Sequence, residues 1–448
     1  MSIIIWLAVF ILLTLALVLM SKRYAIPFSV RVAASLLLGS LFGLSLFFFT
    51  SNDVSSEVRR WVALVGNGYV DLLRMLIIPL VPTSIIAGLL KLSNTGELKK
   101  LGLRTISLFL FTATIAGVIG LLIGTVFSVG NGMVIGDLAS REPNTITNLF
   151  AQFRAFIPSN PVRSAAEMQM IPLVVFSLFI GVAAIGVKTK NPQMVKPFEE
   201  LLESFLQIVL QLTMIIIGLT PYGVLALTAF WLSSTGLTAL VQLGIFVLAV
   251  VAACLLQLTI VYGGLLAFNV KINPIRFYKA ASPALLLAFS SRSSLGSLTM
   301  TIHTMTNRLK VSPRVANFVG PLGAVMNMDA CGGIFPALVA VFAANAFGID
   351  LSISQYALIV IVSIFASLGS AAVPMGATAF TVITLTTVGL PVEAVGLVAG
   401  VDFLVDMFRT MTNVAGDLTT SVVVANSMGE FDRSAFNEHK VAFASQKT

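Results

Sequence analysis

The sequence predicts an all-α polytopic membrane protein of about nine transmembrane helices and two re-entrant hairpins. Three observations carry this. First, of 448 residues 57% are hydrophobic and only 10% charged, against about 25% charged in soluble domains. Second, the apolar residues come in long unbroken runs near or above the ~20 residues a spanning helix needs; a transmembrane β-barrel would alternate apolar and polar residues in short segments. Third, the charges gather where apolar runs end. An ordinary soluble enzyme, a disordered linker and a collagen-like or coiled-coil fibre are excluded.

The formal net charge of +8 does not describe a nucleic-acid surface. Its carriers are Lys22, Arg23 and Arg31; Lys91, Lys99, Lys100 and Arg104; Lys188, Lys190 and Lys196; Lys271, Arg276 and Lys279; Arg308, Lys310 and Arg314; and Arg433, Lys440 and Lys447. The opposite ends of the runs hold uncharged or mixed stretches such as Ser233-Ser234-Thr235-Gly236. The positive-inside rule puts these clusters, and with them the C-terminus, in the cytoplasm of a multi-pass inner-membrane protein. The run from Met1 to Met20 precedes Lys22-Arg23. A signal peptide has the reverse order, so this reads as an uncleaved first helix. Cys254 and Cys331 lie far apart in apolar context, which suits two buried reduced thiols rather than a disulfide framework or a zinc site.

The runs predict spans at about 2–20, 29–50, 62–90, 101–130, 171–188, 198–232, 238–269, 313–347 and 391–426. Several exceed the perpendicular length and imply tilt. The less apolar stretch 131–170 reads as an outer connection with short helices, and the polar last dozen residues as a loose tail. Two stretches differ. About 280–309 holds Ser290-Ser291-Arg292-Ser293-Ser294-Leu295-Gly296-Ser297, and about 353–390 holds Ser367-Leu368-Gly369-Ser370-Ala371-Ala372-Val373-Pro374-Met375-Gly376. Each has apolar arms around a small-residue centre. Lys279 precedes the first, and Arg308 and Lys310 follow it, so both its ends fall on the cytoplasmic side and it reads as re-entrant. Irregular backbone at membrane depth needs protein or a water cavity around it. Two interrupted hairpins, each followed by a long helix, are the pattern of an inverted-repeat transporter.

The last span carries Asp402, Asp406, Arg409, Thr410, Asn413 and Asp417. At about 100° per residue all but Thr410 share roughly an 80° arc, and Thr410 lies near its edge. A charge at the bilayer centre costs ~2.5–3.5 kcal/mol, so this stripe needs a protein interior, a water cavity or ions. A purely structural Asp–Arg pair is the plain alternative, but one Arg cannot neutralise three carboxylates. The preceding span holds Asn327-Met328-Asp329-Ala330-Cys331-Gly332-Gly333. Amide and carboxylate oxygens beside two glycines suit an unwound helix offering oxygen ligands to a hard cation, or else a kink around a protonated Asp. Arg292 among serines offers a cation, hydroxyls and N–H groups to an anion at a half-helix N-terminus. Arg74 reads as a snorkelling interface residue and His303 as structural. No metal-ligand spacing, nucleophile elbow or phosphate loop occurs, so the chain does not read as an enzyme.

At these residues the sequence resembles the dicarboxylate/amino acid:cation symporter family, the glutamate transporter homologues. The family's last-helix motif Asp-x3-Asp-x2-Arg-Thr-x2-Asn-x3-Asp is complete from Asp402 to Asp417, and Asn327-Met328-Asp329 is its Asn-Met-Asp motif. Arg292-Ser293-Ser294 and Gly369-Ser370-Ala371-Ala372-Val373-Pro374 match its hairpins, and Ile77-Ile78-Pro79-Leu80-Val81 and Ile157-Pro158-Ser159-Asn160-Pro161 also look like its signatures. The likeness runs from about residue 29 to 426.

The resemblance implies the glutamate-transporter-homologue fold, inverted repeats and a homotrimer in the lipid bilayer. An extra N-terminal helix (1–28) would precede a scaffold (mainly 29–100 and 131–237). A transport domain (101–130 and 238–426) would slide across that scaffold, with a cytoplasmic tail at 427–448. It implies two or three transported Na⁺ ions as the only cofactors. One would sit at Asp417, Asn413 and Asn327. A second would sit at Asp329, Asn327 and Thr112, with Thr114 in reach. A third would lie at backbone carbonyls of Met326, Ser367, Leu368 and Ser370. A small amino acid would meet Asp406 through its α-amino group and Asn413, Ser293 and Ser294 through its α-carboxylate. Its distal end would meet Arg409, with Thr410, Arg292, Cys331, Val373 and Gly376 around it.

The chain departs from the family's glutamate and aspartate carriers in having Ala330-Cys331-Gly332-Gly333 after Asn-Met-Asp, where those have Gly-Thr. Its added first helix and the run Val65-Gly66-Asn67-Gly68-Tyr69-Val70 look like the family's bacterial L-cystine-uptake branch. Typical members of that branch replace the Asn-Met-Asp motif and lack the final Asp; both are intact here. The expected function is Na⁺-coupled symport of L-cystine, placed narrowly ahead of an acidic amino acid (glutamate or aspartate) or a C4-dicarboxylate. H⁺-coupled cystine uptake, with Asp329 or Asp417 carrying the proton, a channel, and a sensor without flux are the competing readings.

Overall fold

In the computed structural model the chain is a succession of helices; residues 3–24, 26–90, 96–133, 154, 157–167, 169–368 and 377–438 are described. Among the described residues no strand occurs, and one isolated antiparallel bridge joins Val311 to Phe431. The helices are α1 (Ile3–Lys22), α2 (Phe28–Phe49), α3 (Asn52–Met75), α4 (Ile77–Leu90), α5 (Gly96–Val126), α6 (Pro161–Ala166), α7 (Met170–Lys190), α8 (Pro192–Ile217), α9 (Thr220–Thr235) and α10 (Leu237–Leu256). Then come α11 (Pro274–Ser291), α12 (Ser294–His303), α13 (Pro313–Met326), α14 (Phe335–Ala346), α15 (Ile353–Leu368), α16 (Ala377–Val388), α17 (Ala394–Met428) and α18 (Arg433–Glu438). Four wider π-helical segments are interleaved, at Gln257–Tyr262, Leu265–Val270, Thr304–Arg308 and Asp329–Ile334.

Among the described residues, six stretches are long and apolar enough to cross a membrane by length and composition: Ile3–Ser21, Val30–Phe49, Lys100–Val126, Pro192–Ile217, Leu240–Val270 and Pro313–Ala346. Their environments differ. The α1 side chains Ile4, Leu12 and Leu15 are exposed, as are Leu201, Phe205 and Ile208 of α8. Such apolar outer faces suit lipid rather than water. In α14, by contrast, every residue but Asn345 is buried, the mark of a helix surrounded by protein. It packs on α5 and α16, with α10, α15 and α17 also touching it.

Three expected single spans are interrupted. The run 62–90 breaks at Leu76, between α3 and α4, just before Pro79, which has no N–H to continue a helix. The run 198–232 breaks at Gly218 and Leu219, and Pro221 sits in the first turn of α9, where a missing N–H costs nothing. The run 313–347 breaks at Asn327 and Met328, whose ψ angles of 73° and 53° leave the helical region. The first hairpin also begins earlier than expected. Asn273 caps α11, its Oδ1 accepting from the N–H groups of Ile275 (2.9 Å) and Arg276 (3.4 Å), and Pro274 follows at the first helical position. Arg276 and Lys279 therefore lie on a helix rather than in a loop, as do Lys188, Lys190, Lys196 and Arg314.

α11 and α12 fold back on each other around Arg292 and Ser293. Arg292 takes a left-handed φ of 53°, and Ser293 caps α12 by accepting from Gly296 N–H at 3.0 Å. α15 and α16 also pack together. The tip of that second hairpin, residues 369–376, and the tail 439–448 lie outside the described residues, as does most of the expected 131–170 connection. The base of the first hairpin is clasped by the segment after α17. Ser312 N–H donates to the Glu430 carbonyl (3.1 Å), Asp432 N–H donates to the Lys310 carbonyl (3.1 Å), and Ser312 Oγ donates to Glu430 Oε2 (2.5 Å). Buried Phe436 of α18 holds the far end, with the Arg276 guanidinium 5.6 Å from its ring centre.

α2 lies directly on α9. A Cβ added at Gly43 would stand 2.7 Å from the Ala229 carbonyl oxygen, and one at Gly39 2.7 Å from that of Leu225. Small residues four apart allow this approach, as at other intramembrane helix pairs. Gly43→Leu should force the helices apart at a cost of about 1–3 kcal/mol and lower the thermal-unfolding midpoint in detergent. Gly186→Ala, with nothing within 4 Å of the new Cβ, should leave it unchanged.

Candidate functional site

The break in the long helix at Asn327–Met328 creates the site. Two backbone N–H groups near the break find side chains on other elements. Met328 N–H donates to Ser367 Oγ on α15 at 3.0 Å, and Ala330 N–H donates to Asn413 Oδ1 on α17 at 2.8 Å. An unmet buried donor costs about 1–3 kcal/mol, so these two contacts tie α15 and α17 to the broken segment. Asn413 completes the tie. Its Nδ2 lies 3.1 Å from both Met328 Sδ and Cys331 Sγ.

Around the break, acidic and amide side chains meet in a buried cluster. Asn327 Nδ2 donates to Asp417 Oδ1 at 2.9 Å. Asp329 Oδ2 accepts from Tyr262 Oη at 2.7 Å and from Gln257 Nε2 at 3.0 Å. Thr112 on α5 also lies beside Asp329; its hydroxyl is within reach of the Phe109 carbonyl too (3.2 Å), while its own carbonyl accepts from Gln257 (3.3 Å). Asn327, Asp329, Asp417, Gln257 and Thr112 are all buried. Asn327 Oδ1, Asp329 Oδ1 and Gln257 Oε1 accept no hydrogen bond among the described residues. Buried oxygens left over beside two carboxylates are the donor set that suits a small hard cation.

One turn away, the guanidinium of Arg409 is fully buried and held by two carboxylates of its own helix, Asp402 Oδ1 at 2.6 Å and Asp406 Oδ1 at 3.0 Å. Its carbon lies 3.9 Å from the centre of the Phe335 ring, a cation–π contact. Arg409 Nε and Nη1 and Asp402 Oδ2 have no hydrogen-bond partner among the described residues. The Arg292 charge acts on Asp402, and Phe289 of the hairpin meets Phe408 edge to face at 5.1 Å, so the first hairpin borders this group. Ser294 and Thr410 are buried there as well.

The structure thus brings Asn327, Asp329, Cys331, Ser367, Arg409, Asn413, Asp417 and Thr112 into two adjoining groups, with Met326 at the end of α13. Thr114 donates to the Leu110 carbonyl within its helix. Leu368 ends α15. Ser370, Val373 and Gly376 lie outside the described residues, and nothing is described of the Arg74 side chain. Cys254 and Cys331 are free and buried. Sequence reasoning passed over Gln257 and Tyr262. Their only signal was polarity within the apolar run 238–269, and a five-residue spacing puts them about 140° apart on an α-helix.

A buried array of ionisable groups on broken helices, inside a chain whose outer helices are apolar, is the equipment of a multi-pass membrane transporter. The chain belongs to the sodium:dicarboxylate symporter family, whose model matches residues 28–427. It is 35% identical over 447 residues to the L-cystine uptake protein TcyP of Bacillus cereus (strain ATCC 14579), covering 96% of each chain. It is 33% identical to the TcyP of Bacillus subtilis (strain 168), covering 95% of each. An uncharacterized symporter of Haemophilus influenzae is 34% identical, over 88% of this chain and 92% of its own. These names describe transporters, not enzymes, in line with the composition.

The fit of α17 against α13 depends on Gly323, where a Cβ would stand 2.2 Å from Asp417 Oδ1. Gly323→Ala should displace that carboxylate and break its bond to Asn327, costing about 1–3 kcal/mol by overpacking. Because the two changes remove the same contact, Asn327→Ala should cost less stability in the Gly323→Ala background than alone. A double-mutant cycle of thermal-unfolding midpoints measures this.

Proposed function

We propose that this chain is a Na⁺-coupled importer of L-cystine. The observation that carries the reading is the set of buried, unpartnered oxygens at Asn327 and Asp329 beside Asp417, adjoining a guanidinium flanked by two carboxylates. The first group takes the cations. The second reads the substrate. Asp402 and Asp406 supply two negative charges around one Arg409, a pattern that fits a ligand with two ammonium groups and two carboxylates better than one with a single ammonium. One cystine ammonium meets Asp406 and the other meets Asp402. The distal carboxylate takes the free Arg409 donors, and the proximal one meets Ser293-Ser294 at the start of α12. The names of the Bacillus relatives support the same substrate.

On this reading the two hairpins are re-entrant, and 101–130 with 238–426 forms a transport domain that slides past a scaffold of mainly 29–100 and 131–237 within a homotrimer. Sodium supplies the driving force. Each net positive charge moved inward gains ~2.3 kcal/mol per 100 mV, roughly 50-fold in accumulation. Substrate must separate Arg409 from at least one carboxylate, and the bound cations offset the charge left behind.

Purified protein in liposomes, given an inward Na⁺ gradient and labelled L-cystine, tests this directly. Saturable uptake that resists excess glutamate and aspartate is expected. Uptake that persists in Na⁺-free buffer under a pH gradient would transfer the coupling to protons. Glutamate or aspartate flux without cystine flux would overturn the substrate assignment. Asp417→Asn should raise the half-saturating Na⁺ concentration at least about tenfold, since losing a charge contact in a dry site costs more than ~1.4 kcal/mol, and should leave the order of substrate preference intact. Arg409→Ala should abolish discrimination among substrates while leaving Na⁺-dependent thermal stabilisation in place.

A further inference from the structure

Gln257 and Tyr262 have no part in the substrate reading above, yet both end on Asp329. They mark the two ends of a π-helical segment, Gln257–Tyr262. On an α-helix residues five apart point about 140° away from each other. The i→i+5 bonding of a π-helix stacks them instead. The wider turn therefore lets one helix aim two donors at a single oxygen, Asp329 Oδ2. Asp329 itself opens a second π-helical segment, Asp329–Ile334.

We propose that Gln257 and Tyr262 set the cation selectivity of the Asp329 group, an inference that rests on the Na⁺-coupled reading. Tyr262 is a positioning residue. With Gln257 Nε2 it fixes the carboxylate so that Oδ2 is spent and Oδ1 alone is left over. Gln257 also contributes an oxygen. Its Oε1 is buried and unpartnered among the described residues, as are Asp329 Oδ1 and Asn327 Oδ1. The Thr112 hydroxyl lies within reach of both the Phe109 carbonyl (3.2 Å) and Asp329 and brings a further oxygen to the group. A carboxylate held at one oxygen cannot swing to grip a cation through both. The group is thus a rigid oxygen cage, and cage size and rigidity are what separate one hard cation from another. It takes a monovalent cation of sodium's size and disfavours the smaller lithium ion.

The test uses full-length protein in detergent and in liposomes, with NaCl and LiCl as the probes. In detergent, the rise in unfolding midpoint with each salt reports binding without transport. Tyr262→Phe removes one donor to Asp329 Oδ2, and Gln257→Leu removes both a donor and an acceptor. Each should raise the Na⁺ concentration for half-maximal stabilisation about tenfold, as loss of a hydrogen bond to a charged group implies, and should narrow the preference for Na⁺ over Li⁺. Half-saturating cystine at saturating Na⁺ should change less than about twofold. Thr259→Val, exposed in the same π-helical segment and bonded only to the Leu255 carbonyl, should change neither value. A purely structural role would lower the midpoint in salt-free buffer and leave Na⁺ affinity and the Na⁺/Li⁺ ratio at parental values, and that result overturns the proposal. Should Gln257→Leu not be recovered folded, Tyr262→Phe decides alone. A parent protein indifferent to Na⁺ would mark failure of the coupling reading itself. A Na⁺-dependent parent with unaltered variants would mark failure of this inference only.

Discussion

Everything at the centre of this protein follows from one constraint: backbone amides exposed by breaking a helix in an apolar interior must find partners. The break at Asn327–Met328 frees donors that neither water nor lipid can satisfy. Ser367 and Asn413 answer them, and in doing so they fix where α15 and α17 lie. Once α17 is in place, Asp417 falls against Asn327, and Arg409 falls between its own two carboxylates above the Phe335 ring. The buried polar cluster and the packing of these helices are therefore the same set of contacts.

The charge arithmetic is equally constrained. Breaking a buried ion pair by removing one partner leaves an uncompensated charge and costs several kcal/mol. Within α17, Arg409 is held by Asp402 and Asp406, whereas among the described residues Asp417 and Asp329 accept from the neutral donors Asn327, Gln257 and Tyr262. The helix thus divides into a half where one guanidinium offsets part of the charge of two carboxylates and a half where Asp417 is met by the neutral Asn327 amide. Any ligand that drew Arg409 away from its carboxylates would therefore alter the electrostatic field along the whole helix.

Much of this was legible in the sequence because α-helical periodicity is reliable over long distances. The stripe from Asp402 to Asp417 could be placed on one face from spacing alone, and Asn327 and Asp329 announced a break through the glycines that follow. Pairing was less legible. Spacing puts Asp402, Asp406 and Arg409 on one side of α17 but does not say that both carboxylates close on the guanidinium. Nor does it say that Asn413 is spent on a backbone N–H and two sulfurs. Gln257 and Tyr262 were invisible for a geometric reason, because a π-helical segment changes the angle per residue and so breaks the rule by which faces are read. The breaks at Leu76 and Gly218 were hidden inside continuous hydrophobicity, which registers polarity and not backbone direction.

The position of α17 in the chain has a consequence for biosynthesis. Among the described residues it is the last long helix along the chain, yet most of its residues are buried and it supplies partners to elements made earlier. Until it arrives, Ala330 N–H and Asn327 have no Asn413 or Asp417 to meet. The broken helix cannot reach its final form until α17 has joined it, with the clasp of Glu430 and Asp432 on the first hairpin closing behind it. A chain cut short of Asn413 would lose the partners of Ala330 and Asn327 rather than a tail.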